Sequence, residues 1–508
     1  MMRLYLFVTR GISLFSLAKA FYLDDDMCLA TRATPPNPQI EHDLGPLLDS
    51  SSSIFGPDDP RWYNATARWQ AYLPPHPFIA VQVGVERDIA TVVEYSKRNG
   101  IPFYAVNRGH GLAAQQGNFT GIEIDLQLLT NITLAEDRQS ALFQGGTYDQ
   151  QVIDYLWDLG YVTTTGSCGC VGMLGPGLGG GHGRWQGFHG MISDNFVKLN
   201  VVLADGSAIE VSQDSHADLF WAMQGAGHNF GIVTSFELKI YPRLYDTWYF
   251  KIYIFTQDKL EPLFEELNKL QNNGTQPINM AAQFGMYLIN TNFSKTEAVI
   301  WWSFAYAGTQ AEAQQYLTPF DSLGPVNITD GNVPYTEIMH VTGTGVGDSL
   351  CDKGLARHVG TAGLQVYNIT TQRQIYDLFN KKIAEYPAFA ADTAVIMEGY
   401  SIENVRNKDP KASAYPLRDD YLLMQTVVSY LPNSSLDAAV MEWARNNVDL
   451  WNEGQPGRLP TTYVNYGSGA ESLESIYGYE PWRLEKLRAL KKRYDPHNQF
   501  RYYFPIIQ

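Results

Sequence analysis

The sequence predicts an α+β protein of two domains. Its 508 residues exceed what one hydrophobic core usually supports, so two domains are the starting expectation. The first half alternates short strand-like and helix-like segments, and around Pro242 the pattern changes to longer strands separated by amphipathic helices. Hydrophobic residues form 45% of the chain, which is typical of a globular protein and excludes a disordered one.

The first domain is predicted to follow an irregular lead-in over residues 21–60, which is rich in Pro, Ser and Asp. A helix over 87–98 is indicated by apolar residues at helical spacing and is stopped by Asn99-Gly100. Asp205-Gly206 predicts a hairpin turn, because these residue types accept the positive φ angles of such turns. Strands are predicted at residues 78–83, 101–106, 122–125, 141–144, 197–203 and 232–240.

The second half begins with a predicted strand over 246–255, in which the side chains of one face are apolar, namely Trp248, Phe250, Ile252 and Ile254. The last helix, over 480–494, ends at Asp495-Pro496 and turns four side chains inward: Leu484, Leu487, Leu490 and Tyr494. The remaining strands are predicted at 299–306, 393–400 and 421–430, and the remaining helices at 260–270, 372–386 and 436–451.

The charge of the chain argues against a nucleic-acid partner. The formal net charge is −16, and the longest basic cluster is Lys491-Lys492-Arg493, so a phosphate backbone would be repelled. After the N-terminus no segment is apolar for long enough to span a bilayer. We therefore expect no nucleic acid and no membrane span.

The N-terminus predicts export. Arg3 precedes an interrupted apolar stretch, and Ala18-Lys19-Ala20 fits a cleavage site, so residues 1–20 are interpreted as a signal peptide. Eight N-x-S/T patterns support the same interpretation and predict N-glycans on a secreted protein; they begin at Asn64, Asn118, Asn131, Asn273, Asn292, Asn327, Asn368 and Asn433.

Four cysteines are too few for a disulfide scaffold of this length. Cys28 and Cys351 are the candidates for a single disulfide, whereas Cys168 and Cys170 lie in a glycine-rich segment, where reactive cysteines find space. The spacing of histidines relative to cysteines and aspartates does not match a zinc site, so no metal is expected.

The glycine-rich segment spans residues 166–190 and holds 11 glycines. Glycine costs chain entropy, so this density indicates backbone that closely approaches a phosphate or a flat ring; the alternative is a flexible linker. Gly175, Gly177 and Gly180 match G-x-G-x-x-G, but no clean strand precedes them and the residues that follow open a helix poorly. A dinucleotide bound in a non-Rossmann manner is the better interpretation.

Four stretches in order resemble the berberine-bridge-enzyme-like, oxygen-dependent FAD-linked oxidoreductases of the VAO/PCMH superfamily. They are Asn107-Arg108-Gly109-His110-Gly111, similar to the family's R-S-G-G-H turn; Gly166-Ser167-Cys168-Gly169-Cys170-Val171-Gly172, similar to G-x-C-x-x-V-G; Gly227-His228-Asn229-Phe230-Gly231-Ile232-Val233-Thr234, similar to G-G-N-F-G-V-V-T; and Tyr463-Val464-Asn465-Tyr466, which matches Y-x-N-Y. The resemblance covers residue 60 to the C-terminus. One departure is that Arg108-Gly109 replaces the family's paired glycines, so the turn there differs in detail.

The resemblance implies a PCMH-type FAD-binding domain at 21–242, an α+β substrate domain at 243–460 with an antiparallel sheet covered by helices, and a segment at 461–508 that returns to the first domain. It also implies FAD linked covalently to both His110 and Cys168. The other residues implied to contact FAD are Asn107, Arg108, Gly109, Gly111, Val171, Gly172, Gly175, Gly177, Gly179, Gly180, Asn229, Gly231, Ile232, Val233 and Asn465.

Oxidation of a C–H bond beside an O–H or N–H group requires a base for the departing proton. By its place in Y-x-N-Y, Tyr466 is the first candidate and Tyr463 the second, while Glu398 or Tyr400 at the end of a predicted strand could face the substrate. Without the resemblance, both motif tyrosines would be interpreted as core aromatics.

The function implied is a secreted, monomeric oxidase that transfers two electrons from a small organic substrate, a secondary metabolite or a carbohydrate alcohol, to O2 and yields H2O2. The alternatives are a flavin-containing dehydrogenase, a cyclase of secondary metabolism, and a secreted glycoprotein that binds a ligand without turnover.

Overall fold

The computed structural model of the chain describes residues 37–507; the predicted signal peptide and Cys28 lie outside the described residues. Within this part the strands are β1 (Ser53–Phe55), β2 (His76–Gln82), β3 (Phe103–Val106), β4 (Thr120–Asp125), β5 (Ile132–Leu134), β6 (Ser140–Gln144), β7 (Tyr161–Val162), β8 (Phe196–Val202), β9 (Ala208–Ser212), β10 (Ile232–Lys239), β11 (Tyr241–Pro242), β12 (Trp248–Phe255), β13 (Met280–Leu288), β14 (Val299–Ala307), β15 (Asn327–Val333), β16 (Ala356–Leu364), β17 (Ala394–Tyr400) and β18 (Leu422–Tyr430).

The helices of the same part are α1 (Asn37–Leu44), α2 (Trp62–Thr66), α3 (Arg87–Asn99), α4 (Asp149–Asp158), α5 (Leu174–Leu178), α6 (Gln186–His189), α7 (Ala217–Ala226), α8 (Leu260–Gln271), α9 (Gln310–Asp321), α10 (Tyr335–Val341), α11 (Ile369–Glu385), α12 (Glu403–Arg406), α13 (Asp437–Glu453), α14 (Leu473–Tyr477) and α15 (Pro481–Tyr494). The α+β prediction is confirmed. None of these helices combines the length and the apolar character needed to cross a bilayer.

The first half of the chain builds two sheets that share a core. One has the order β1-β2-β4-β3, in which β2, β4 and β3 are parallel, and the other is antiparallel with the order β5-β6-β10-β8-β9. Helix α3 connects β2 to β3 and ends where Gly100 adopts φ +67°, a left-handed conformation that glycine accepts without strain. Val92 of α3 packs in one cluster with Val202 and Ile232 of the second sheet.

The second half builds one antiparallel sheet of seven strands, hereafter the large sheet, with the order β15-β12-β14-β13-β17-β18-β16. Strand β12 is buried along its whole length, so its second face is covered as well as the predicted apolar face. Tyr249 and Tyr253 pack in the main core with helix α8, while Trp248 and Phe250 pack against Trp185 of the glycine-rich segment. The large sheet is therefore covered on both sides.

Several elements were not predicted. The lead-in, expected to be irregular, contains α1 and β1 within its described residues. Strands β13, β15 and β16 were also missed. Strand β15 lies at the edge of the large sheet and is mostly exposed, so it lacks the apolar alternation that marks a half-buried strand.

A disulfide joins Cys170 to Cys351, whose Cα atoms are 6.1 Å apart although 181 residues separate them. The expected Cys28–Cys351 disulfide is wrong, because Cys351 already has a partner. The bond ties the glycine-rich segment to the loop that precedes β16.

The C-terminal segment packs on the first half of the chain. Four side chains of α15 were predicted to face inward, namely Leu484, Leu487, Leu490 and Tyr494. All four are buried, in one cluster with residues of α7. Lys491, fully buried on the same helix, donates to Asp495 Oδ2 (2.7 Å) and to the carbonyl oxygens of Asn229 (2.7 Å) and Phe500 (2.9 Å). One ammonium group thus closes the last turn of α15 and attaches the segment that follows to the core.

Replacing Lys491 by Met tests this arrangement. The substitution leaves the buried Asp495 carboxylate without its cation, which we expect to cost about 3–5 kcal/mol and to lower the thermal midpoint clearly. Lys492→Met on the same helix alters an exposed lysine and serves as the matched control. Equal midpoints for the two variants would contradict the structural role of Lys491.

Candidate active site

The turn after β3 carries the predicted flavin-linking histidine. Gly109 in this turn adopts φ +71°, and a Cβ atom there would lie 3.0 Å from the carbonyl oxygen of Ala67, so glycine is required. The side-chain nitrogen of Asn107 donates to the carbonyl oxygens of Gly145 (3.1 Å) and Thr147 (2.9 Å). These contacts hold the turn against the loop that leads into α4.

Three buried polar atoms of this turn lack a hydrogen-bond partner, as do three at residues 149–151 and three at residues 184–186. Asn107 Oδ1, Arg108 Nε and His110 Nδ1 are buried and make no hydrogen bond within the protein. Buried polar groups normally have partners, so three such atoms within four residues indicate a site for a polar ligand. A dinucleotide cofactor with carbonyl, ring-nitrogen and phosphate groups fits this requirement.

His110 and Cys168 lie on the same side of the molecule. The Cys170 sulfur is 3.7 Å from His110 Nε2 and 3.6 Å from the Cys168 sulfur. Cys168 is a free thiol, and both His110 and Cys168 are mostly buried, with a minor part of each residue accessible. The sulfurs of Cys168, Cys170 and Cys351 lie within 4.8 Å of one another, but the disulfide occupies two of them and removes them as thiolate ligands for a metal.

The imidazole and the thiol are both neutral near pH 7. Burial, reinforced by the positive charges of Lys353, Arg108 and Arg357, lowers the pKa of His110 to about 3. Burial, with a contribution from the Asp149 carboxylate, raises the pKa of the Cys168 thiol to about 12. His110 therefore keeps a ring nitrogen with a free lone pair, as bond formation to an electrophilic carbon requires.

A hydrogen-bonded chain links the Cys168 turn to the predicted catalytic residues. The Tyr400 hydroxyl lies 3.1 Å from Ser167 Oγ and donates to Glu398 Oε2 (2.9 Å). The Tyr466 hydroxyl donates to the same carboxylate, at 3.0 and 3.1 Å from its two oxygens. Residues 398 and 400 share a face of β17 because strand side chains alternate, and this face opens toward the glycine-rich segment.

Burial governs the protonation of this chain. It raises the pKa of Glu398 above its ordinary 4.5, against the opposing effect of hydrogen bonds from Tyr400 and Tyr466. Burial and the Glu398 charge raise the pKa of Tyr466 well above the usual value. The Tyr466 phenol, which stays protonated near neutral pH, is thus hydrogen-bonded to the Glu398 carboxyl group, which can accept its proton when ionised.

Two residues at this site were missed. Gln425 on β18 donates to Glu398 Oε1 (3.1 Å), and the fully buried Arg184 donates to the Ser167 carbonyl oxygen (3.3 Å). Gln425 is a long polar side chain within a largely apolar strand, and Arg184 is a charged residue within the glycine-rich segment. Both patterns are signals that could have identified them.

Tyr463 has a different environment from Tyr466. Its hydroxyl oxygen accepts from Asn465 Nδ2 (2.6 Å) and from the amides of Gly181 (3.1 Å) and His182 (3.3 Å). Burial raises its pKa to about 12, so it remains protonated near pH 7. Because three donors occupy its oxygen, Tyr463 is suited to holding the glycine-rich segment, and Tyr466 is the better candidate for the base.

Many predicted cofactor glycines are explained by packing within the protein. A Cβ atom would lie within 3 Å of protein atoms at Gly172, Gly177, Gly179, Gly180, Gly111 and Gly231, whereas the space beside Gly175 is open to 4 Å. At Gly172 the obstructing atom belongs to Asn107, so the absent side chain lets the first two predicted motifs meet. Val171 contributes its carbonyl oxygen to the Asp149 amide (3.0 Å).

The third predicted motif is used largely by the protein itself. The Asn229 side chain donates to Tyr477 Oη and the Phe504 carbonyl oxygen, and accepts from the Ile506 amide. Ile232 and Val233 lie in two hydrophobic clusters. The Asn229 side chain therefore anchors the C-terminal segment, and its expected contact with the cofactor stays a prediction.

Comparison with known proteins shows the family to which this chain belongs. The FAD binding domain family matches residues 77–212. The FAD-linked oxidoreductase anuG of Penicillium roqueforti is 63% identical over 494 residues, which cover 97% of each chain. This chain belongs to the FAD-linked oxidoreductases. It is an FAD-dependent oxidoreductase, and the predicted resemblance is confirmed.

The solved structures that this oxidoreductase resembles have the same fold. BBE-like 1 of Physcomitrella patens has a TM-score of 0.77 at 17% identity, with 93% of this chain and 98% of that chain covered. Glucooligosaccharide oxidase of Acremonium strictum, with 6-S-cysteinyl, 8α-N1-histidyl FAD, has a TM-score of 0.74 at 19% identity, with 92% and 98% covered. The PCMH-type fold expected from the motifs is thereby confirmed.

Replacing Tyr463 by Phe tests its structural role. The variant leaves the buried amides of Gly181 and His182 without an acceptor, at roughly 1–3 kcal/mol each, so we expect a clearly lower thermal midpoint. Tyr503→Phe is the matched control, because the Tyr503 hydroxyl donates a hydrogen bond to the Val464 carbonyl oxygen (3.3 Å) and holds no backbone amide of the described residues. An unchanged midpoint for Tyr463→Phe would contradict the proposed anchoring.

Proposed function

We propose that this FAD-linked oxidoreductase is a secreted oxidase that removes two electrons from a small organic alcohol or amine and passes them to O2. The observation that carries the proposal is the chain from Ser167 through Tyr400 and Glu398 to Tyr466. It places an acid–base pair beside the two residues that are proposed to hold the flavin.

His110 and Cys168 are proposed to bind FAD covalently. The free Nδ1 atom of His110 would bond to the 8α carbon, and the Cys168 sulfur to C6. Glucooligosaccharide oxidase, with a cysteinyl and histidyl flavin and the same fold, supports this assignment. Residues 21–242 and 461–508 would form the FAD domain, and residues 243–460 would cover the ring.

The flavin supplies the acceptor for a hydride, and the protein supplies orientation and proton transfer. A substrate hydroxyl positioned at Tyr466 would donate its proton to the phenol oxygen while the phenol proton moves to Glu398. Gln425 and Tyr400 hold Glu398 by donating to its two oxygens. This concerted transfer avoids a free phenolate, which the raised pKa of Tyr466 disfavours.

Two substrate classes fit the proposal. The resemblance to fungal-type members of the family favours a secondary metabolite, and the carbohydrate oxidase with the same fold favours a carbohydrate alcohol. Because this chain is 63% identical to a fungal FAD-linked oxidoreductase and 19% identical to that carbohydrate oxidase, we propose a secondary metabolite.

Export and glycosylation complete the proposal. Seven of the eight N-x-S/T asparagines are exposed, whereas Asn368 is half-buried, accepts from the Thr371 amide (3.1 Å) and caps α11. Asn368 is therefore the least accessible acceptor, and N-glycans are proposed at the other seven.

The function is tested on the purified protein with a Tyr466→Phe variant. We expect yellow colour that stays with acid-precipitated protein in both, and H2O2 release by the wild type with a panel of aromatic alcohols and oligosaccharides. Loss of the base should reduce kcat by about 10²–10⁴.

Each alternative has its own outcome in this assay. Reduction of a dye acceptor without peroxide would identify a dehydrogenase, and a rearranged product without net electron transfer would identify a cyclase. A colourless precipitate from a colourless protein would exclude a flavoenzyme, and full activity of Tyr466→Phe would exclude Tyr466 as the base.

The pH dependence of kcat/KM tests Glu398. Because only the carboxylate can accept the Tyr466 proton, activity should fall as the pH drops through the Glu398 pKa, which lies above 4.5. Glu398→Gln should lose this acidic limb together with most activity. Glu403→Gln, at an exposed residue of the adjacent helix, should keep the wild-type profile; an unchanged limb in Glu398→Gln would assign it to another group.

A further inference from the structure

Two sulfurs compete for one position beside His110. The Cys168 thiol is 3.6 Å from the Cys170 sulfur, and the Cys170 sulfur is closer than 4 Å to the imidazole. A tight turn begins at Cys168, where the Val171 amide donates to the Cys168 carbonyl oxygen (3.2 Å). A ring carbon bonded to Cys168 would thus lie within one side-chain rotation of Cys170.

The structure also holds the Cys170 sulfur back. Its bond to Cys351 is supported by contacts between the same two segments: the Gly169 amide donates to the Thr344 carbonyl oxygen (2.7 Å), and Thr344 Oγ1 donates to the Ser167 carbonyl oxygen (2.8 Å). A sulfur in a disulfide has no thiolate, and the thiolate is the nucleophile.

We infer that the Cys170–Cys351 disulfide determines which sulfur is bonded to the flavin, because it withholds Cys170 and leaves Cys168 as the only free thiol of the cluster. This inference rests on the proposed bicovalent attachment. It assigns Cys351, a residue outside the four motifs, a specificity role in cofactor attachment.

The bond-forming step balances with O2 as the oxidant. The Cys168 sulfur loses its proton and bonds to C6, the hydrogen of C6 leaves as a proton, and two electrons pass to the flavin. O2 then takes two electrons and two protons and becomes H2O2. Disulfide-bonded Cys170 cannot enter this sequence without first being reduced.

The disulfide is needed to withhold Cys170 because the Cys168 thiol itself stays protonated near neutral pH. With its pKa raised to about 12, the Cys168 thiol is a slow nucleophile near neutral pH. A free thiol at Cys170 would then compete for the same carbon.

The test compares variants of the full-length protein by mass spectrometry of tryptic flavin peptides after deglycosylation. Peptide 109–138 contains His110, peptide 139–184 contains Cys168 and Cys170, and peptide 296–353 contains Cys351. Fragmentation between residues 168 and 170 identifies the bonded sulfur. In Cys351→Ser we expect the flavin–sulfur bond to shift to Cys170 in roughly half of the molecules, as for two thiols of similar reach.

Cys170→Ser is the matched control, because it also lacks the disulfide but offers no second sulfur at this position. We expect its flavin only on Cys168. Cys168→Ala should carry flavin on His110 alone, and Cys168→Ala/Cys351→Ser should regain a sulfur bond, at Cys170. Flavin only on Cys168 in Cys351→Ser, or a bond to Cys170 in Cys168→Ala, overturns the inference.

If Cys351→Ser does not fold, tryptic peptides of the wild-type protein, prepared without reducing the disulfide, provide the test. Peptides 139–184 and 296–353 should be joined by the disulfide while Cys168 carries the flavin; flavin on Cys170 with a free Cys351 overturns the inference. No flavin–sulfur bond in the wild type would instead reject bicovalent attachment itself.

Discussion

The turn from Gly166 to Gly172 is the constraint on which the site depends. Its backbone groups are satisfied by two distant parts of the chain. Asp149 accepts from the Gly166 amide and donates its own amide to the Val171 carbonyl oxygen, while Thr344 contacts both Ser167 and Gly169. A buried backbone group without a partner costs free energy, so this turn exists only when α4 and the loop before β16 are both in place.

The same turn explains why the groups proposed to link the flavin and the groups proposed to transfer the proton lie together. Asn107 fits against Gly172, which brings the His110 turn to Cys168. Ser167 contacts Tyr400, which brings the face of β17 that carries Glu398 to the other side of the turn. A small turn between two packed layers thus brings the proposed flavin-linking residues next to the proposed acid–base pair.

The pKa shifts in this region are caused more by burial than by pairing with opposite charges. His110 is neutral because it is desolvated among cations, and Cys168 is neutral because it is desolvated near a carboxylate. Burial raises the pKa of Glu398, and the hydrogen bonds that Tyr400 and Tyr466 donate to it oppose that rise. Charged forms persist in a buried site only where donors replace the lost water.

The sequence by itself determined the α+β class, five of the helices (α3, α8, α11, α13 and α15) and most interior strands, and it predicted His110, Cys168, Tyr466 and Glu398 as site residues, because periodicity and motifs are local properties. Tertiary structure alone decided that Cys351 pairs with Cys170, that the Asn229 side chain contacts the C-terminal segment, and that the Tyr463 hydroxyl accepts three hydrogen bonds. It also decided at which glycines the absence of a side chain leaves room for neighbouring protein atoms, such as those of Asn107 beside Gly172. These outcomes depend on which distant groups come into contact. The disulfide, for example, joins residues that are 181 positions apart. Such contacts leave no periodic pattern in the sequence of either segment.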